Sequence, residues 1–137
     1  MNITTFDELL QAARSQPDAQ RLLMVFVGAS IPEDATPEQR ARFEAGEGGE
    51  ITPLMGVDKT PDEISSFAEL YAESRQMGPE WSLVFVAGLA GQGGRAPTSE
   101  EADGPLQGMV QAIKDGMFDR FIPFNTEGQA VFLENGA

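Results

Sequence analysis

Two unbroken apolar runs stand out in the pattern of hydrophobic and polar residues along the chain. They are RLLMVFVG at residues 21–28 and WSLVFVAGLA at residues 81–90. A continuous apolar run of strand length is typical of a strand that is covered on both faces. The two runs therefore predict two inner strands of a sheet that lies between helical layers.

Apolar residues spaced three and four apart predict the helices. The first helix covers residues 4–16 and ends at Pro17. Its core face carries Phe6, Leu9 and Leu10. Similar spacings and capping sequences predict three further helices, at residues 37–45, 61–77 and 105–116. Weaker patterns predict strands at residues 50–57, 119–124 and 129–134.

The element order α-β-(α)-β-α-β-α-β-β predicts one α/β domain over residues 1–137. We expect a mixed sheet of about five strands, with helices on both faces and an antiparallel hairpin at the C-terminus. The passage over residues 50–90 is expected to form a right-handed parallel crossover. The long polar segment 29–50, expected to be partly mobile, leaves the direction of the first strand relative to the second open.

Net charge changes the picture of which partners the domain can have. The chain of 137 residues carries 22 acidic and 9 basic residues, a net charge of −13. Such a field repels phosphate backbones and anionic lipid heads, so we expect neither nucleic acid nor membranes as partners. It favours a basic protein partner, although solubility is the simplest interpretation. The N-terminal residues lack a signal-peptide pattern, and no apolar run approaches about 20 residues, which predicts a cytoplasmic location.

Histidine and cysteine are both absent from the sequence. Without a thiol, the chain has no cysteine nucleophile, redox carrier or thiolate metal ligand. Without an imidazole, it has no histidine base and no histidine ligand for zinc. Serine–histidine and cysteine–histidine catalysis are therefore excluded within the chain, and we predict no catalytic residue and no cofactor.

A glycine-rich stretch follows the second apolar run and is the first candidate ligand site. Gly91, Gly93 and Gly94 precede Arg95 in the segment Gly88–Arg95. Backbone amides freed by glycines can cradle an anion, and an arginine can add charge-assisted hydrogen bonds. The segment lacks the spacing of nucleotide-binding motifs, and a surface loop that ends a strand is the alternative interpretation.

A second candidate site depends on strand direction. Asp58 and Lys59 follow a predicted strand, and Ser30 follows the first apolar run. If the strands are all parallel, these residues and Arg95 lie along the carboxyl edge of the sheet, where α/β proteins bind ligands. The alternative is a turn in which Thr60 caps the next helix while Asp58 and Lys59 form a solvated pair.

Six carboxylates lie between residues 33 and 50. Hard cations such as calcium prefer clustered carboxylates. The D-x-D-x-D-G spacing of a calcium loop is absent, so we predict a solvated polar face and no metal ligand.

A family of short proteobacterial proteins is similar to this chain over almost its whole length. The resemblance is carried by RLLMVFVGASIPEDATPEQRARFEAGEGGEITPLMGVDKTPDEISSF and by the later WSLVFVAGLAGQGG. Members of that family bear the name "ribonucleotide reductase subunit alpha". The large subunit of that enzyme uses one cysteine for a thiyl radical and a pair for reduction. Because this chain has no cysteine, the name is inconsistent with its residues and no catalytic residue of that enzyme is carried over.

Three functions agree with these observations. The first is a non-catalytic acidic interaction or regulatory domain, with a protein partner or with a second copy paired through the C-terminal hairpin as a homodimer. The second is a small-molecule or nucleotide-binding domain that uses the loop Gly88–Arg95. The third is an acidic mimic of nucleic acid that inhibits a basic protein.

Overall fold

The computed structural model describes residues 3–30, 34–44, 50–77, 80–117 and 120–131. Its helices are α1 (Phe6–Arg14), α2 (Pro37–Glu44), α3 (Phe67–Gln76) and α4 (Ser99–Lys114), with a short 3-10 helix at Pro61–Glu63. Its strands are β1 (Gln20–Ser30), β2 (Glu50–Lys59), β3 (Leu83–Ala90) and β4 (Ile122–Phe124). The predicted α/β class and the order of elements up to β4 are confirmed.

The strands form one antiparallel sheet in the order β2-β1-β3-β4. The prediction of a mixed sheet is wrong, because each strand in this sheet is antiparallel to its neighbours. β2 and β3 do run in the same direction, but they are not adjacent, since β1 lies between them. The long connection after β1 brings β2 back alongside β1, and this return answers the question of direction that the sequence left open.

β1 and β3 are the two inner strands, as the apolar runs predict. Side chains alternate across a strand, so a run without polar residues feeds both faces of the sheet at once. In β1, even-numbered residues enter a first core and odd-numbered residues a second: Leu22, Met24 and Phe26 against Leu23, Val25 and Val27. In β3, Val84 and Val86 lie in the first core and Phe85 in the second.

The first core lies beneath α1 and α3 and is rich in aromatic rings. Phe6 is fully buried, and its ring centroid lies 5.5 Å from those of Phe67 and Phe124. Trp81 is buried too, and its indole N–H donates to the hydroxyl of Ser74 over 2.8 Å. This core therefore joins both helices to the sheet while the polar tip of the tryptophan keeps a partner.

The second core lies beneath α4, which confirms that helices cover both faces of the sheet. Ala102, Met109 and Ile113 of α4 are buried there with β1 and with Phe85 of β3. α4 packs mainly against β2 and β1. The helix therefore sits to one side of the sheet rather than over its centre.

The predicted helix at residues 61–77 is divided in two. After the 3-10 helix the chain is extended at Ile64, whose buried side chain joins the first core. Arg14 of α1 donates to the carbonyl oxygen of Ile64 over 2.7 Å and holds this break in place. α3 then starts afresh, with the Ser66 hydroxyl accepting from the Glu69 N–H.

α4 begins at Ser99, more than a turn earlier than residue 105, where the sequence predicted its start. Thr98 and Glu101 form a capping box, in which each side chain accepts from the other residue's backbone N–H over 3.0 Å. The hydrogen bond from the Thr98 amide lowers the pKa of the Glu101 carboxyl. The helix that begins at this cap continues past Pro105, which the sequence predicted as the first residue of α4.

The described part of the predicted C-terminal hairpin is hydrogen-bonded to the first residues of the chain. The Ala130 N–H donates to Thr4 O and the Phe6 N–H donates to Gly128 O, both over 2.8 Å. From residue 132 onwards the predicted strand 129–134 lies outside the described residues. The described part of this edge is therefore already bonded within the chain, so it does not support the expected pairing of two copies there.

Candidate functional site

The antiparallel sheet divides the predicted ligand residues between its two ends. Ser30 pairs with Glu50 at one end, whereas Asp58 and Lys59 lie at the other. The turn that contains Arg95 follows β3 at this second end. The prediction that placed all four residues on one carboxyl edge is wrong for Ser30, because β1 runs antiparallel to both of its neighbours.

Asp58 and Lys59 each have a partner within the chain. Two guanidinium nitrogens of Arg21 lie 2.5 Å from one carboxylate oxygen of Asp58, and the Ser99 hydroxyl donates to the other oxygen over 3.0 Å. The Lys59 ammonium lies 2.8 Å from the carboxylate of Glu73 on α3. These contacts tie β2 to β1, α4 and α3, so a structural role accounts for both residues.

The glycine-rich stretch forms a tight turn. Gln92 and Arg95 exchange two backbone hydrogen bonds of 3.1 Å. Gly93 and Gly94 at the tip have φ of 61° and 77°, which this kind of two-residue turn requires. The Gly91 N–H donates to a carbonyl just ahead of β1 over 2.8 Å. Three amides that the anion-cradle hypothesis needs, those of residues 91, 92 and 95, are therefore already bonded to backbone oxygens.

Replacing Gly91 with alanine is expected to lower the free energy of unfolding by about 2–3 kcal/mol. A Cβ at this position would lie 1.8 Å from the carbonyl oxygen of Arg95, so the turn must open or shift. Urea denaturation measures the loss, and faster amide exchange at Gln92 and Arg95 would locate it.

Gly94→Asn is the matched control in the same turn. The position is open and has positive φ, which asparagine tolerates better than most residues, so a loss below about 1 kcal/mol is expected. If Gly91→Ala is as stable as the unchanged protein, the tight turn is not essential to this end of the sheet.

Within the described ranges, no three acidic side chains are arranged so that they could hold a metal ion. None of the helices in the same ranges is both long and apolar enough to cross a bilayer. The acidic segment 33–50 falls partly outside the described residues, which omit residue 33 and residues 45–49.

An open cleft of about 620 Å³ lies beside α4, over the part of β3 that this helix leaves uncovered. β3 forms its floor, α4 one wall, and the chain just before β4 the other. We call it the α4 cleft. Its lining residues are Leu23, Ala87, Gly88, Leu89, Pro105, Gly108, Met109, Ala112, Gly116, Met117, Arg120 and Phe121.

The cleft exists because α4 sits over β2 and β1 and presents small residues to β3. Gly108 and Ala112 line the wall four residues apart, which places them on one side of the helix, and Gly116 lines it just beyond the helix end. Met117 stands at the far end and is 62% exposed. A wall of small side chains keeps the cleft open, so apolar surface on β3 stays in contact with solvent.

The chemistry of the cleft is that of a binding surface. Among the described residues that line it, Arg120 is the one charged residue, and none carries a hydroxyl or a carboxyl group. The other side chains are apolar, and the backbone adds glycine surface. The arrangement can bind an apolar group and place one positive charge at its edge.

A repeat of small residues in α4 could have indicated this cleft, but the large apolar residues of the same helix dominate its pattern. The large residues on the buried face of α4, which include Met109 and Ile113, are the ones that predict a helix. The small residues Gly104, Gly108 and Ala112 repeat every four positions along another side of the helix, and Gly116 follows just beyond its end. Such a side is either packed closely against a neighbour or left open, and only the position of α4 on the sheet distinguishes the two.

Similarity to known proteins adds no assignment to this site. Comparisons of the chain with protein-family models, with curated proteins and with solved structures give no significant match. The resemblance to the short proteobacterial family therefore stays a prediction from the sequence. The geometry of the α4 cleft is the strongest indication of function that the chain offers.

Proposed function

We propose that the protein is a non-catalytic interaction domain that binds an apolar segment of another protein in the α4 cleft. The observation that carries this proposal is an open apolar cleft on a sheet face that one helix covers only in part. Exposed apolar surface of this kind marks interaction sites in folded proteins.

The surface of the cleft suits a binding role. Ala87 and Leu89 on its floor are only half-buried, although both pack at the margin of the second core. Met117 stands at its far end and is mostly exposed, and the flexible thioether of methionine adapts to different apolar partners. A partner that covers these residues removes apolar area from water, and each square ångström of that area contributes about 25 cal/mol.

A catalytic role finds little support in the same cleft. The described residues of the lining include no carboxylate, hydroxyl or amine that could act as a base or nucleophile. The whole chain lacks histidine and cysteine. At the near end of α4, the Ser99 hydroxyl donates to the carboxylate of Asp58, and this carboxylate is already ion-paired with Arg21.

The proposal predicts that filling the cleft abolishes binding of apolar peptides. We would select ligands from a displayed library of random peptides of about 16 residues and measure their affinity by fluorescence anisotropy. Peptides with several apolar residues and micromolar Kd are expected. Gly108→Trp should weaken their binding at least about tenfold, because its indole would occupy the cleft, where a Cβ at Gly108 meets open space.

Gly104→Trp is the matched control. It makes the same change one turn earlier in α4, at a position that is equally open but does not line the cleft. Both changes remove a helix-interior glycine, so neither is expected to weaken the helix. If the selected peptides bind both variants equally well, or if no peptide is selected, the α4 cleft is not a protein-binding site.

A small apolar carboxylate is the second candidate ligand, because Arg120 places a positive charge at the edge of a cleft of suitable size. This candidate moves the predicted small-molecule site from the glycine turn to the α4 cleft. Dodecanoate is the probe. A rise in melting temperature that Arg120→Gln removes would favour it, whereas no rise would leave the peptide as the better-supported ligand.

A further inference from the structure

We propose that the segment bound by the α4 cleft is a basic amphipathic helix that lies beside α4 over the exposed end of β3. This inference rests on the proposed function and adds the conformation and charge of the partner. It is drawn from the spacing of elements on the two faces and from the charges on and near α4.

The two faces of the sheet are unequally covered. On the first face, α1 contacts Phe124 of β4 through Phe6, and α3 reaches Lys59 of β2 through Glu73. Two helices therefore span all four strands on that side. On the second face, the described helices contribute α4 alone, and it packs mainly against β2 and β1.

The open strip of sheet beside α4 is the end of β3. β4 pairs with β3 only at Val84–Val86, so no described strand borders the cleft floor at Ala87 and Leu89 on its far side. Packed helices lie about 8–10 Å apart, and neighbouring strands about 4.8 Å apart. The axis of a helix that packs beside α4 would therefore lie over this part of β3, along the α4 cleft.

The wall that α4 presents suits such a neighbour. Cleft-lining residues of α4 run from Pro105 to Ala112, a length of about 10 Å or two helical turns. Gly108 and Ala112 within this stretch let another helix approach closely, because their side chains do not hold it away. The apolar face of the incoming helix would then rest on Leu89 of β3.

Charge favours a basic partner. The α4 region, from its first turn to its C-cap, carries Glu100, Glu101, Asp103 and Asp115 against Lys114. The chain as a whole has a net charge of −13. Arg120 is one cation among these carboxylates, so lysines on the outer face of a bound helix would meet a predominantly negative surface.

A second copy of this chain fits the cleft less well. The apolar faces of α1, α3 and α4 are buried in the chain's own two cores. α2 offers only Ala41 and Phe43 as apolar residues among eight. Two copies would also each carry the same large negative charge. A helix from a different, basic protein is therefore the occupant that the surface selects.

The test uses a synthetic peptide of about 16 residues with leucines on one helical face and lysines elsewhere, a length at which isolated helices become stable. One control peptide has the same composition in scrambled order, and another has glutamate in place of every lysine. We expect the first peptide to bind the full chain at least about tenfold more tightly than either control. Its circular dichroism should show helix formation on binding.

Two variants localise that binding. Gly108→Lys is expected to weaken it at least about tenfold, whereas Gly104→Lys, which adds the same charge outside the cleft, should change it less than about threefold. Equal binding of the scrambled peptide, or tighter binding of the glutamate peptide, would overturn the inference. Library peptides that still respond to Gly108→Trp would show in that case that the proposed function stands while the helical, basic partner does not.

Discussion

Phe6→Ala is expected to lower the free energy of unfolding by about 3–5 kcal/mol, the largest loss among the substitutions considered. Phe6 is fully buried, and its ring lies against those of Phe67 and Phe124. Its backbone N–H also bonds to Gly128 O. The alanine variant would leave a cavity where α1, α3 and β4 meet, and packed neighbours collapse only partly into such a space.

Urea denaturation followed by tryptophan fluorescence measures this loss, because Trp81 lies in the same core. Phe6→Leu keeps most of the volume and is expected to lose about 1 kcal/mol. Met77→Ala removes a large apolar side chain that is 46% exposed, and a change within about 0.5 kcal/mol is expected. A loss below about 1 kcal/mol in Phe6→Ala would show that α1 contributes little to the first core.

Arg21→Met is expected to cost about 2–3 kcal/mol, since it leaves the carboxylate of Asp58 without its cation in a half-buried site. The side chains of Arg21 and Asp58 are only 12% and 15% exposed. Removing one member of a fully buried pair typically costs about 3–5 kcal/mol, and the remaining exposure reduces that figure by solvent screening. Thermal or urea unfolding at neutral pH measures the effect.

A double variant distinguishes the cost of leaving the Asp58 carboxylate unpaired from the contribution of the Arg21–Asp58 ion pair to the free energy of unfolding. Arg21→Met with Asp58→Leu replaces both partners with apolar side chains and is expected to recover to within about 1 kcal/mol of the unchanged protein. Glu73→Gln breaks the more exposed pair with Lys59, and a loss below about 1 kcal/mol is expected. If the double variant is less stable than Arg21→Met alone, the ion pair contributes more than an apolar contact would.

Local patterns predicted much of this fold because they depend on residues that are close in sequence. The alternation of side chains along β1 needs only an unbroken apolar run to imply two cores. α1 begins at a capping box in which the side chains of Thr5 and Glu8 each accept from the other residue's backbone N–H. These two residues are only three positions apart in the sequence. α4 shows the limit of this approach, since the sequence predicted its start at residue 105 and missed its first six residues.

The role of Asp58 was harder to predict, because its hydrogen-bonding partners are distant in sequence. Asp58 contacts Arg21 and Ser99, which are 37 and 41 positions away. Its charge alone gave no sign of this, since a solvated aspartate and a paired one have the same sequence. Gly91 was predicted to leave its backbone amide free for an anion. In the structure a glycine is needed there because a Cβ would clash with the carbonyl of Arg95, and the sequence does not distinguish these two uses of glycine.

By itself the sequence determined the two inner strands, the start of α2 and the absence of thiol and imidazole chemistry. Each of these follows from residue type or from neighbours along the chain. Only the tertiary structure decided that β1 runs antiparallel to β2 and β3, which removed Ser30 from the predicted edge. It also decided that α4 lies to one side of the sheet and leaves the cleft open. The physical reason is that strand direction and helix placement depend on how distant surfaces pack, and a local pattern of apolar residues is compatible with more than one such packing.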